Sequence, residues 1–121
     1  MVVLADSSIW IDHFRDPQEL LWQMIGRGEL WTHPHVICEL ALGSVPDRKK
    51  FIAFLVSLPR FGEFDQMALI DYVQSSELHG KGVGMVDASL LMSCAENNAK
   101  LWTRDKRLLE QAARLNLDYA A

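Results

Sequence analysis

Short apolar runs alternate along this chain with longer stretches in which apolar residues recur every three or four positions. Val2-Val3-Leu4-Ala5 is the first run and predicts a buried strand. Ser7 or Ser8 then opens a helix through Trp10, Ile11 and Phe14. Asp16-Pro17 predicts a stop and a restart, with Pro17 at the first position of a second helix. Leu20, Leu21, Met24 and Ile25 form that helix's stripe, and Gly26 to Gly28 end it. Leu30-Trp31-Thr32 reads as a second strand, and Pro34 opens a helix to about Gly43. Asp47 starts the next helix, with Phe51, Ile52, Phe54, Leu55 and Leu58 on its apolar side and Pro59 beyond its end. Phe61-Gly62-Glu63-Phe64 is a third predicted strand, followed from about Gln66 by a helix carrying Leu69, Ile70 and Val73. After a loop at Gly80 to Gly84 come a helix from Val86 to about Asn97 and a strand from Lys100 to Thr103. A helix from Lys106 to Leu115 and a short strand from Leu117 to Tyr119 complete the pattern. Strands alternating with helices predict an α/β fold whose parallel sheet is covered on both faces. In such sheets, sites form at the carboxyl ends of strands.

Four carboxylates break this apolar pattern. Asp6 ends the first run, and Glu39 is the one charge in Val36-Ile37-Cys38-Glu39-Leu40-Ala41-Leu42. Asp87 interrupts Gly84-Met85-Val86-Asp87-Ala88-Ser89-Leu90-Leu91, and Asp105 closely follows Leu101-Trp102-Thr103. Taken singly, Asp6, Asp87 and Asp105 are well explained as helix caps or first-turn acids. Glu39 is harder to explain that way, because the helix around it is apolar on nearly every side and a solvated face is not expected there. As a set, the acids can converge above one sheet edge, where like charges raise one another's pKa unless a cation intervenes. All-oxygen ligands select hard ions such as Mg²⁺ or Mn²⁺. That chemistry suits phosphodiester hydrolysis, in which a metal activates water and stabilises charge on the phosphate. Hydroxyls at Ser7, Ser8 and Thr103 stand beside the acids, either to cap helices or to hydrogen-bond a carboxylate. His33 and His35 flank Pro34 and read as exposed turn histidines.

Composition changes this picture little. The chain has 121 residues, half of them hydrophobic and 23% charged, which predicts one domain with a real core. No apolar run reaches the length of a membrane span, and the start does not read as a secretory signal. Cys38 and Cys94 lack zinc-site spacing and read as two buried, reduced thiols, in keeping with a reducing cytoplasm. The formal charge of −4 argues mildly against electrostatic nucleic-acid binding, but two divalent ions at the four acids would bring it to zero. Arg48-Lys49-Lys50 reads as a solvated helix start. Trp10, Trp22, Phe51 and Phe54 read as core or as part of a partner groove, and Asp12 as a surface acid.

Four segments carry a resemblance: Val3 to Arg15, Val36 to Gly43, Gly82 to Ala88, and Leu101 to Leu108. In this order and at these separations they resemble a PIN-domain protein, and more narrowly a VapC-type toxin ribonuclease, over essentially the full length. The resemblance implies a three-layer α/β/α fold across residues 1–121. It implies Mg²⁺ or Mn²⁺ held by Asp6, Glu39, Asp87 and Asp105, and metal-dependent endoribonuclease activity in the cytoplasm. It also implies a homodimer and a VapB-type antitoxin that wraps an apolar groove and blocks the acidic site. Ser7 stands where threonine is common in the family, and it keeps the hydroxyl. With this resemblance, Arg15, Arg104, Lys106 and Arg107 become candidates for RNA phosphate contacts near the site, beside a reading as ordinary surface charge.

Other readings fit less well. A phosphoacceptor receiver domain needs an acid pair directly after the first strand, whereas Ser7 follows Asp6. A noncatalytic RNA-binding or scaffold PIN domain would be marked by a lost acid, and all four are present. A DNA flap nuclease would carry long insertions and further acids that this short chain lacks.

Overall fold

The computed structural model describes residues 1–120. The elements run β1 (Val2–Ala5), α1 (Ser7–Arg15), α2 (Glu19–Gly26), β2 (Leu30–Trp31), α3 (Pro34–Leu42), α4 (Arg48–Ser57), α5 (Gln66–Ser75), α6 (Met85–Glu96), β3 (Ala99–Trp102) and α7 (Lys106–Arg114). The three strands are parallel in the order β2-β1-β3. Val3 and Leu4 lie opposite Leu30 and Trp31, and Val2 to Ala5 lie opposite Ala99 to Trp102. Helices cover both faces of the sheet in a three-layer α/β/α arrangement.

β1 is central, and Val3, Leu4 and Ala5 are fully buried, as a strand covered on both faces requires. α6 is buried at seven consecutive positions, Ala88 to Cys94, so it shows no amphipathic stripe although it is a helix. The crossover from β1 leads to β2 on one side, and the chain then returns to β3 on the other side of β1. The carboxyl end of β1 is therefore a topological switch point, where open α/β sheets leave a crevice.

Several local expectations are corrected. Pro17 lies outside α2, because the Nδ1 of buried His13 accepts a hydrogen bond from the Gln18 N–H (2.8 Å) and holds Gln18 extended. Phe61 to Phe64 is not a strand. Its neighbourhood supplies one bridge, Thr32 to Arg60, because the chain beside it turns into α3 at Pro34 and leaves nothing further to pair with. Leu117 to Tyr119 likewise makes one bridge, at Asp118 to Leu101. The Leu117 N–H is already used on the Ala112 carbonyl (2.7 Å), closing α7. Cys38 is exposed while Cys94 is buried, since α3 buries Val36 and Leu40 and turns its other side outward. Trp22 is half exposed, unlike the buried Trp10.

Candidate active site

Asp6 leaves the carboxyl end of β1 and caps α1. Its Oδ1 accepts from the Ser8 and Ile9 N–H groups (3.0 and 3.3 Å) and from the Ser8 hydroxyl. Its Oδ2 accepts from the Thr103 hydroxyl at the end of β3. Each hydroxyl gives its hydrogen to Asp6 and takes one from a backbone N–H just beyond β3. Ser8 Oγ accepts from the Arg104 N–H (2.8 Å), and Thr103 Oγ1 accepts from the Asp105 N–H (3.0 Å). The Asp6 N–H also reaches the Trp102 carbonyl (3.1 Å). These bonds lace the ends of β1 and β3 together and fix the buried Asp6 carboxylate in place. Burial raises its pKa, and the bonds from Ser8 and Thr103 oppose that rise.

Asp105 caps α7, its Oδ1 accepting from the Leu108 N–H (3.1 Å), and it is exposed. Asp87 sits in the first turn of α6, where the cap is Gly84 and no side chain caps the helix. Its pKa is pushed up to about 6, first by burial and then by the charges of Asp105, Asp6 and Glu39. Glu39 projects from α3. Contrary to the expectation from its apolar neighbours, it is exposed on one side. The protein on its other side still raises its pKa, first by excluding water and then through Asp6, while the Ser7 hydroxyl and His35 act in the opposite sense.

Asp87 thus feels the charges of the other three acids and Glu39 that of Asp6, the four coming from the end of β1, from α3, from α6 and from the cap of α7. Among the described residues none of them forms an ion pair. Nor do any three His, Cys, Asp or Glu side chains there stand close enough together to hold a metal ion as they are. The donor set, all oxygen and net negative without a counter-cation, fits a hard divalent ion in chemistry.

None of the basic candidates forms an ion pair with these acids. Arg104 pairs instead with Asp12 (Nε to Oδ2, 3.4 Å), so Asp12 is a paired surface acid. Arg107 packs over Gly82, whose positive φ (+77°) and missing side chain make room for it. Arg15 and Lys106 are exposed. His33, expected at the surface, is buried. Its Nδ1 caps α3 by accepting from the His35 N–H (3.0 Å), and burial with the neighbouring His35 pushes its pKa down to about 4. Its position just before Pro34 was the available signal, since Pro at the first helical position implies a cap before it.

The family model of the PIN domain matches residues 3–115. The chain belongs to the PIN domain family. Within that family it is of the VapC type. It is 42% identical over 108 residues to Ribonuclease VapC32 of Mycobacterium tuberculosis, in strains CDC 1551 / Oshkosh and ATCC 25618 / H37Rv. That match covers 88% of this chain and 87% of the relative. Solved structures share its fold at low sequence identity. VapBC-1 from nontypeable Haemophilus influenzae superposes with a TM-score of 0.73 at 15% identity, over 99% of this chain and 97% of that one. PAE2754 from Pyrobaculum aerophilum gives 0.65 at 16% identity, over 96% of each chain. Across the described residues of this PIN chain, no helix is long and apolar enough to cross a membrane.

Proposed function

We propose that this chain is a metal-dependent endoribonuclease, residues 1–121 acting as one domain, and the toxin of a type II toxin–antitoxin pair in the cytoplasm. The observation that carries the reading is the charge of Asp6, Glu39 and Asp105 felt at Asp87 beside the switch point, with none of the four acids in an ion pair. The 42% identical relative named a ribonuclease supports the reaction class. In this reading Asp6, Asp87, Asp105 and Glu39 hold Mg²⁺ or Mn²⁺. The ion, when bound, supplies Lewis acidity that lowers the pKa of water and stabilises charge on the phosphate. Asp6 is the fixed point of the set, oriented by Ser8 and Thr103. Glu39, exposed and with three rotatable bonds, is the acid free to close the remaining distance. Ser7 steadies Glu39. Asp87, whose proton is held more firmly than an ordinary aspartate's, gives it up when a cation arrives. Arg15, Arg104, Lys106 and Arg107 form a cationic border for the RNA backbone, with Arg104 first leaving Asp12.

A VapB-type antitoxin and a second copy of the chain are the proposed protein partners. The VapBC-1 likeness supports the first. So does an apolar groove of about 290 Å³, in which Trp10, Phe14, Trp22, Phe51 and Phe54 from α1, α2 and α4 form the walls. Phe14 and Pro46 also border a second cavity that reaches Glu39, so the groove leads toward the acids. Exposed Leu42, Met67, Ile70 and Met85 supply apolar surface for self-association.

Purified protein incubated with total cellular RNA tests the ribonuclease reading by fragment-end mapping, with Mg²⁺, with Mn²⁺ and with chelator, beside Asp6→Asn. Discrete ends that need both the ion and Asp6 are expected. Absence of cuts by folded, antitoxin-free protein would move the reading to a noncatalytic RNA- or metal-binding PIN domain.

A further inference from the structure

The second cavity, of about 450 Å³, is lined at one end by Glu39 of the acidic set and by Ser7, the neighbour of Asp6. It runs along one face of α1, on which Ser7, Ile11 and Arg15 succeed one another at four-residue spacing. Ser7 and Arg15 are therefore about 12 Å apart along the helix axis. The Ser7 end opens onto Glu39 and so onto the acidic cluster. The walls between are apolar: Phe14 from α1, Leu40 from α3, and Val45 from the loop joining α3 to α4. Arg15 at the far end forms no ion pair with any described residue. The loop wall is already built, because the Arg48 Nε–H donates to the Ala41 carbonyl (2.9 Å) across it and Asp47 turns the chain in a left-handed conformation.

We infer that this cavity seats one unpaired nucleobase of the RNA, next to the phosphate to be cut, with Arg15 on the neighbouring backbone phosphate. The inference rests on the ribonuclease reading and names the part of the substrate that the site grips. Apolar walls take the faces of a base without regard to its identity. The hydroxyls of Ser7 and Ser44 at the edge of the cavity offer both donors and acceptors to a base edge. The volume is that of a small-molecule site. An unpaired cation at the end away from the acids suits a phosphate and not the apolar end of a peptide side chain. The larger cavity of about 560 Å³ between α5 and α6 has none of this, being lined by no Lys, Arg, Asp or Glu. Sequence reading missed Ile11 and Val45 in this role, because the cavity is formed by a loop closing over a helix and no local pattern announces it.

The test uses a single-stranded RNA oligonucleotide spanning a mapped cut, with an abasic ribose placed in turn at each nucleotide flanking the cut. One of the two abasic substrates is expected to lose at least about tenfold in kcat/KM. Val45→Trp fills the cavity and is expected to shrink that penalty to about twofold or less. Equal rates on intact and abasic RNA by the wild-type chain would overturn the inference and assign the cavity to the protein partner. So would an undiminished penalty in Val45→Trp. A binding measurement on the wild-type chain covers the case in which that variant does not fold or no RNA is cut. The Ile11 and Val45 methyl resonances should shift with nucleoside 5′-monophosphates and not with ribose 5-phosphate. Identical responses to the two would overturn the inference. Cleavage without base dependence sinks the pocket and leaves the enzyme, whereas methyl shifts without cleavage sink the enzyme and leave the pocket.

Discussion

Asp6 and Asp87 are the same residue type facing the same cluster, yet the fold treats them differently. Asp6 is buried and accepts hydrogen bonds from Ser8, Ile9 and Thr103, capping α1 and joining the ends of β1 and β3. Asp105 shares the capping role alone, at α7. Asp87 caps nothing, lies in α6 below a glycine cap, and carries a pKa of about 6 caused by burial and three neighbouring acids. Glu39 resembles Asp87, its pKa raised by burial and by Asp6. Asp6 and Asp105 therefore support helix starts as well as standing in the cluster, although burial raises the pKa of Asp6 too, while Asp87 and Glu39 cap nothing. A side chain that costs stability and has no structural partner is best understood by its chemistry.

The largest expected effect ignores this division. Asp6→Asn, Glu39→Gln, Asp87→Asn and Asp105→Asn should each lower RNA cleavage by about a hundredfold or more with the chain still folded, a loss typical of removing transition-state charge stabilisation. An Asp87→Asn chain that cleaves like the wild type would remove Asp87 from the site.

Stability should separate the two halves. In metal-free urea unfolding, Asp6→Ala is expected to cost roughly 2 kcal/mol, from a lost cap and the stranded Thr103 hydroxyl. Asp87→Asn is expected to gain about 1 kcal/mol at neutral pH, a figure already reduced for solvent screening at this half-buried position. The same sign for both variants would erase the contrast.

The pH dependence sharpens it. Asp87 in the folded chain titrates at about 6 against an ordinary value of 3.8, so the folded state holds the proton more firmly. Its contribution to metal-free stability is fully present below about pH 4 and is lost as pH rises through about 6. The stability difference between wild type and Asp87→Asn should grow across that window in favour of the variant, and a flat difference would count against the coupling. The smallest effect concerns the border: Arg104→Ala breaks a half-exposed pair with Asp12 and should change stability by no more than about 0.5 kcal/mol.

What could be read from the sequence follows from how local each feature is. β1 is a run of apolar residues, α3 begins at Pro34, and Asp6 and Asp105 stand where a strand passes into a helix, so each can be placed from its neighbours. The Phe61 to Phe64 and Leu117 to Tyr119 segments were misread as strands because pairing depends on a partner's length, and β2 and β3 are already ending there. The exposure of Glu39 and Cys38 escaped for a related reason. α3 is apolar nearly all round, but the core takes Val36 and Leu40 and leaves Leu42 85% exposed. His33 was misjudged because its burial comes from contacts distant in sequence. That the four acids share one electrostatic neighbourhood was an expectation from their positions; the order β2-β1-β3, which brings them there, is visible in the structure alone.

The most direct test of the account is a Mn²⁺ titration of the purified chain and of Asp87→Asn, followed by the magnetic resonance signal of free Mn²⁺. The account predicts saturable binding by the wild type, reversed by Mg²⁺, and at least about tenfold weaker in the variant, whose apo fold is nonetheless the more stable. Equal binding by both chains, or none by the wild type, would contradict it.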